Sequence, residues 1–284
     1  LSLAPLDVRG LLRRHHLEPR KGLGQNFLVD HGALLKIVAA AEIHPGDSVL
    51  EIGAGLGSLT RLLASQAGRV VAVELDGHLL PALQDTLEPF GNATVVQGDM
   101  LKLAPESLMS TSGYLVVANI PYYITSALIR HLLGSAVKPA RIILTLQQEV
   151  AERICAQPGD LSLLALSVQV FGKPRIITTI PAAAFYPSPK VDSAVLRVDL
   201  HPEPLIPQNE LDVFFRLAKH GFAQKRKTLR NSLAAGLHIN SEEAASLLLS
   251  AGIDPTRRAQ TVDLVEWRTL TTEYLASPLA ARKQ

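Results

Sequence analysis

Cysteine is all but missing from these 284 residues: Cys155 stands alone, which excludes an internal disulfide and a cysteine-built zinc cluster. One thiol fits a reducing compartment, and the cytoplasm is the simplest expectation. Long apolar runs are missing as well. Stretches such as "LVVANI" and "RIILTL" fall far short of the roughly 20 residues that span a bilayer, so no membrane partner is expected. The opening "LSLAPLDVRGLLRRHHLEPRKG" lacks an extended apolar core and does not read as a secretory signal. It also lacks an initiator Met, so the true start is expected to be missing or processed. Excess charge of one sign is small: 28 Lys and Arg against 26 Asp and Glu leave +2, which decides nothing about partners. There is no internal repeat and no low-complexity tract.

What remains is a composition that folds. At 47% hydrophobic and 19% charged the chain can bury a sizeable core, and its length suits one large domain plus a small one. Charge is more informative in its distribution than in its sum. "RRHH" at 13–16, "RK" at 20–21 and "KHGFAQKRKTLR" at 219–230 are basic clusters. Each alone could be a solvated surface; clusters in both the arm and the tail favour a polyanionic partner.

Short β-rich runs alternate with helix-like stretches over residues 45–200: "DSVLEIG" (47–53), "RVVAVEL" (69–75), "ATVVQGD" (93–99), "YLVVANI" (114–120), "RIILTLQ" (141–147), "KPRIITTI" (173–180) and "SAVLRVDL" (193–200). The first five are about twenty residues apart, enough for crossover helices, which predicts a parallel sheet covered on both faces. The last two, joined by the proline-rich "PAAAFYPSPKVD", read as an antiparallel pair at one edge. The expectation is an α/β fold with the seven-stranded sheet of a class I methyltransferase. "HPEPLIPQNE" (201–210) reads as a linker, and the remainder is helical in pattern, with Ser241 a helix start and Gly252 a stop. The predicted division is a catalytic domain over 1–204, whose first 30 residues form an arm and a covering segment, and a helical domain over 205–284.

"VLEIGAGLGSLT" places Gly53, Gly55 and Gly57 between a strand and a helix, where glycines allow a tight turn and close approach of a ligand. No lysine follows as in a phosphate-binding loop, and Ser58 stands where a dinucleotide fingerprint has its third glycine. Glu74, ending the next strand, can accept both hydroxyls of a ribose. Asp99, read as ending the strand "VVQGDM", can accept an adenine amino hydrogen. Together these residues suit an adenosine ligand without a phosphate site, and S-adenosylmethionine (SAM) suits them better than NAD.

Asn119-Ile120-Pro121-Tyr122 follows the strand predicted beside the glycine loop. Methylation of an exocyclic amine on a nucleobase needs such a group, because the nitrogen lone pair is delocalised into the ring. The Asn119 side-chain oxygen and a nearby backbone carbonyl can accept the two amine hydrogens and aim the lone pair at a methyl donor. Pro121 fixes the backbone, and Tyr122 can stack on an unpaired base. Alternatively, the tetrapeptide is a strand end with an Asn cap and two tyrosines at the rim.

The chain resembles the bacterial small-subunit rRNA adenine dimethyltransferase family through "RKGLGQNFLVD", "VLEIGAGLGSLT", "VELD", "GDM", "NIPYYIT", "LQQEVAERI", "AAAFYPSPKVDSAVLRV" and "FAQKRKTLRNSL". The resemblance implies SAM-dependent conversion of two adjacent adenosines near the 3′ end of 16S rRNA to N6,N6-dimethyladenosine, on an immature small subunit. It implies that Asn26 and Leu28 bind SAM from a segment folded over the site, with Gly53, Gly55, Glu74, Asp99 and Asn119. It also implies that Phe185 stacks on the target adenine opposite Tyr122; without it, Phe185 reads as a loop aromatic packed into the core. "CAQPGDLSLLAL" is shorter than the matching family segment and lacks its tyrosine, so no contact is carried over there. The basic run is expected to be helical, with Lys225, Arg226, Lys227 and Arg230 as RNA contacts and Thr228 and Leu229 inward. No metal is expected, and the protein is expected to be a monomer. Two other readings are a resistance-type methyltransferase of large-subunit rRNA and a non-catalytic RNA-binding assembly factor.

Overall fold

A computed structural model describes residues 3–119 and 124–281. The chain forms two compact units, Leu1–Ala151 with Pro174–Leu200, and Glu152–Lys173 with His201–Gln284. In the first unit, α1 (Val8–Arg14), β1 (Phe27–Leu28) and α2 (His31–Ala41) precede the sheet. Then come β2 (Ser48–Ile52), α3 (Thr60–Ala64), β3 (Arg69–Glu74), α4 (Leu80–Leu87), β4 (Ala93–Gln97), α5 (Pro105–Leu108), β5 (Leu115–Asn119), α6 (Thr125–Gly134) and β6 (Arg141–Gln147). After α7 (Gln148–Ile154) and α8 (Leu163–Gln169), the chain returns through β7 (Gly172–Ile180), β8 (Phe185–Tyr186) and β9 (Ser193–Leu200).

The strands stand in the order β4-β3-β2-β5-β6-β9-β7, the seven-stranded sheet that the alternating pattern predicted. β2 pairs parallel with both β3 and β5, so the chain leaves it toward opposite sides and a topological switch point opens beside it. β9 runs antiparallel to β6, and β7 and β4 are the two edge strands. The proline-rich segment between β7 and β9 is more than a loop. Its β8 pairs antiparallel with β1, Phe27 opposite Tyr186 and Leu28 opposite Phe185, in a separate two-stranded sheet.

Strand alternation sets the packing. Val49 of β2, Val70 of β3, Leu115 and Val117 of β5, Ile143 of β6 and Val195 of β9 share one apolar cluster with α2 and α3. Asp30 starts α2 by accepting the Ala33 N–H at 2.7 Å. Leu34, Ile37, Val38 and Ala41, at helical spacing, form its buried stripe. Cations stop the helix. Arg197, 5% exposed, donates to the Ala40 carbonyl at 2.9 Å, and Arg141 donates to the Ala41 carbonyl at 2.6 Å, where the helix dipole favours positive charge. Glu42 and Asp199 pair with both guanidiniums. Burial alone would raise the Asp199 carboxyl, but Arg197 and Arg141 outweigh it and hold it below the usual range.

The second unit is helical: α9 (Leu211–Phe222), α10 (Leu229–Leu237), α11 (Ser241–Ser250), α12 (Leu264–Ala276) and α13 (Pro278–Ala281) join α8. Gly221 leaves room for the Trp267 ring, which a Cβ there would meet at 2.7 Å. The segment 152–173 belongs here because its loop is stitched to the helices. Gly159 and Leu161 donate their N–H groups to the Gln260 carbonyl, Gln260 Nε2 returns a bond to Gly159, and Ser162 caps α8. The 201–210 stretch expected to be a linker is packed too, with Ile206 fully buried and Leu205 bonded to the Val170 carbonyl. α11 starts at Ser241, as expected, and Asn240 before it is the cap, in a capping box with Glu243. Among the described residues no helix is long and apolar enough to cross a membrane.

Replacing Arg197 with Ala should destabilise the protein by ~1.5–3 kcal/mol, the range for a hydrogen bond to a charged group, since Ala40, Glu42 and Asp199 all lose a donor. Urea unfolding followed by circular dichroism measures it; an unchanged midpoint would show that Arg141 alone caps α2.

Candidate functional site

The apolar rows of the sheet end in polar groups at the carboxyl ends of its central strands. Glu51 lies in register with Ala72 of β3 and Val117 of β5, on the face that Val49 shares with α2 and α3. The pairing ends with Ile52 opposite Val73 and Ala118, and Gly53, Glu74 and Asn119 are the next residues of the three segments, all of them lining one cavity. Gly53 fastens that row by donating its N–H to the Val73 carbonyl at 2.9 Å. The glycine loop then turns through left-handed backbone, with φ of 80° at Gly53, 59° at Gly55 and 85° at Gly57. A Cβ at Gly57 would meet Leu83 and Thr86 at 3.0 Å, so both conformation and space require glycine there.

Glu74 holds this loop. Its Oε2 accepts the Gly55 N–H at 2.7 Å and its Oε1 accepts the Asp76 N–H at 2.8 Å. Burial pushes its carboxyl up, against the pull of those two N–H groups. Each oxygen keeps a second lone pair, which a pair of ligand hydroxyls could use. Asp76, 4% exposed, carries the connection outward. It accepts from Gln25 Nε2 at 2.9 Å and from Arg20 at 3.2 Å. Burial would raise its carboxyl, but the Gln25 and His78 hydrogen bonds and the Arg20 charge outweigh that and lower it. The segment before β1 is thereby latched to the turn after β3.

These elements enclose a cavity of about 500 Å³. Asn26, Leu28, Gly53, Gly55, Glu74, Asp99, Asn119 and Phe185 all line it, so the structure brings together every predicted site residue of this unit that it describes. Pro121 and Tyr122 lie outside the described residues. Asn26 donates to the Gly24 carbonyl at 3.1 Å. Asp99 sits two residues past the end of β4, not on it, and caps its own turn through the Leu101 N–H at 3.0 Å. Phe185 is only 4% exposed and packs in the α2 cluster while its β8 backbone pairs with Leu28, so it is a core residue and a lining residue at once.

Sequence reasoning missed three lining residues of note. Leu75, directly after Glu74, is an exposed apolar side chain at the cavity, and Gln25 sits inside the quoted "GQNFL". The third is Glu51. It is 1% exposed and its Oε2 has no hydrogen-bond partner. Burial pushes the Glu51 carboxyl up to about 8, with Thr60 opposing the shift and the Glu74 charge adding to it. Its signal was a lone acid inside an apolar strand. Among the described residues no group of three His, Cys, Asp or Glu side chains could hold a metal ion.

The predicted basic contacts belong to the helical unit. Lys225, Arg226 and Lys227 lie on the exposed turn between α9 and α10, not on a helix as expected. Thr228, in extended conformation, is the N-cap of α10 and keeps the helix from starting earlier. Leu229 is fully buried. Arg230 is half-buried, and its Nε is buried without a partner.

A seven-stranded sheet with an adenosine-sized cavity at its switch point, an acid on the neighbouring strand and an Asn ending β5 defines the class I methyltransferases. Two solved structures share nearly the whole chain. A dimethyladenosine transferase from Plasmodium falciparum is 27% identical with a TM-score of 0.78, covering 88% of this chain and 98% of that one. The 23S rRNA methyltransferase ErmE is 28% identical with a TM-score of 0.69, covering 87% and 99%. A model of the family described as "Ribosomal RNA adenine dimethylase" matches residues 17–270. The protein named "Ribosomal RNA small subunit methyltransferase A" of Dehalococcoides mccartyi (strain CBDB1) is 45% identical over 96% of this chain and 94% of its own length. The chain belongs to the ribosomal RNA adenine dimethylase family.

Glu51 sets a sign for the pH dependence of the ligand-free protein. A carboxyl raised in the folded state binds its proton more tightly there, so its contribution is complete below the unfolded value near 4.5 and is lost as pH rises toward about 8. Stability of the native protein should therefore fall relative to Glu51→Gln between pH 5 and 8, by at most about 1.4 kcal/mol per pH unit. Parallel unfolding midpoints across that window would mean that Glu51 is not held protonated.

Proposed function

We propose that the protein transfers methyl groups from SAM to N6 of two adjacent adenosines near the 3′ end of 16S rRNA, on immature small ribosomal subunits. The observation that carries this reading is the row of Gly53, Glu74 and Asn119 facing one cavity with Asn26, Leu28 and Phe185. The relatives named ribosomal RNA small subunit methyltransferase A support the choice of substrate.

When bound, SAM supplies a methyl group activated by its sulfonium. In this reading Glu74 accepts the ribose hydroxyls with its spare lone pairs, Asp99 accepts the adenine amino group, and Asn26 and Leu28 cover the ligand from the latched segment. Gly53 and Gly55 keep the backbone close enough for contact. Asn119 accepts a hydrogen of the target amine and directs its lone pair toward the methyl group. Pro121 shapes the backbone after it, and Tyr122 and Phe185 stack on the target base. The amine can lose its proton to water after transfer, so no strong base or metal is required. The same pocket admits a nitrogen already carrying one methyl, since each adenosine is modified twice. Lys225, Arg226, Lys227 and Arg230 contact RNA phosphates, and the protein acts as a monomer in the cytoplasm.

Transfer of radiolabelled methyl from SAM to unmethylated small subunits, beside large-subunit RNA, tests the reading. Label in the small-subunit RNA is expected. Label in large-subunit RNA alone would indicate the resistance-type activity, and none in either would indicate an assembly factor.

Two variants probe the roles. Glu74→Ala should weaken SAM binding by ~1.5–3 kcal/mol in calorimetry. Because Glu74 also braces Gly55, the variant must still unfold cooperatively for the loss to count; full affinity in such a protein removes Glu74 from the site. Asn119→Ala should slow single-turnover transfer at saturating SAM by at least ~100-fold, as a misplaced reacting atom does. A normal rate would remove Asn119 from amine positioning.

A further inference from the structure

α1 carries three exposed cations, Arg9, Arg13 and Arg14, that no role above uses. Val8, Leu11 and Leu12 turn inward and share an apolar cluster with Phe27, Leu56 and Leu79, each of which also lines the cavity. The helix is therefore packed against the wall of the site. Arg9 and Arg13, four residues apart, occupy one flank of that buried stripe, and both are exposed. Arg14 falls on the opposite flank.

Three further observations separate Arg9 and Arg13 from an ordinary solvated face. The Arg9 guanidinium lies 4.7 Å from the centre of the Tyr186 ring, which orders it. Tyr186 directly follows Phe185 on β8 and packs against the α1 cluster, so this cation is tied to the strand that carries a cavity-lining aromatic. Among the described residues neither Arg9 nor Arg13 has an acidic partner, whereas Arg20 is taken by Asp76 and His15 by Asp85. The acids nearest in sequence are Asp7, whose side chain caps α1 by accepting the Gly10 N–H, and Glu18 beyond the helix.

We propose that Arg9 and Arg13 of α1 form a phosphate-binding rail for the single RNA strand flanking the target adenosine, with Tyr186 tying the rail to the Phe185 loop. The proposal rests on the rRNA reading above and adds a contact surface to it. Cβ atoms four apart on a helix are about 5–6 Å from one another. That spacing lets two side chains reach successive phosphates. Backbone contacts of this kind hold the strand in register without reading sequence, leaving selection to the pocket.

The test compares the native protein with the double variants Arg9→Gln/Arg13→Gln and Arg9→Lys/Arg13→Lys. Glutamine keeps helix propensity, and circular dichroism and SAM affinity check the fold. Affinity for unmethylated small subunits and for a naked 16S rRNA fragment spanning the 3′ end is measured against salt at fixed magnesium. Each single-strand phosphate contact contributes about 0.7 to the slope of log affinity against log salt. The glutamine pair should flatten the slope by roughly 1.4 on both probes, while the lysine pair keeps it. Native methyl transfer with an unchanged slope in the glutamine pair overturns the rail and leaves the function standing. A loss on whole subunits but not on the naked fragment overturns it as well, because the partner is then a ribosomal protein. Absence of transfer to small-subunit RNA by the native protein overturns the function and the rail together.

Discussion

Everything at the cavity depends on one carboxylate with two backbone donors. Glu74 ends β3 and accepts N–H groups from Gly55, on the loop after β2, and from Asp76, on the turn after β3. The first bond holds glycines in backbone that other residues avoid. The second aims Asp76 at Gln25 and Arg20. A single buried acid thus fixes the cavity floor directly and its cover through one intermediary. Charge-assisted bonds of this kind are short and directional, which suits a site that must hold shape before a ligand arrives.

The cover is closed from the other side by chain far away in sequence. β1 and β8 pair over two residues each, and Val29 and Asp30 both donate to the Ala184 carbonyl. Asp30 is also the cap of α2, whose far end is gripped by Arg197 and Arg141. The cavity-lining Leu28 and Phe185 are neighbours through the β1–β8 pairing, which leads directly into the capped start of α2. Side chains that touch no ligand set the geometry of those that do.

The sheet was legible because β-branched runs of five to nine residues carry a clear pattern, and β6 and β9 fall on their predicted limits. The β1–β8 pair was not legible as strands, since two residues have no period. Phe185 shows the consequence: residues alone gave a core aromatic, the family resemblance gave a lining residue, and pairing with Leu28 makes it both. The basic run failed for another reason. Its composition suits a helix, but the Thr228 side chain accepts the Asn231 N–H, and this local bond starts the helix after the charges. Asp76 and Gln25 went unread because their roles are mutual, and a partner 51 residues away leaves no local trace.

Glu51 is the residue that packing alone does not explain. It sits among Val49, Leu50 and Ile52, buried, with one oxygen unpaired and a second acid close enough to raise its pKa further. An apolar residue would fill the same place without the desolvation penalty of an unpaired carboxyl. Uncompensated polar groups of this kind concentrate where a protein sacrifices stability for a site. Here the unpaired group lies two residues before Gly53 in the wall of the cavity, so this desolvation penalty falls at the site itself. On β2 the face that packs apolar side chains against α2 and α3 becomes acidic where it reaches the switch point. The change from one to the other happens within a single strand, between Val49 and Glu51.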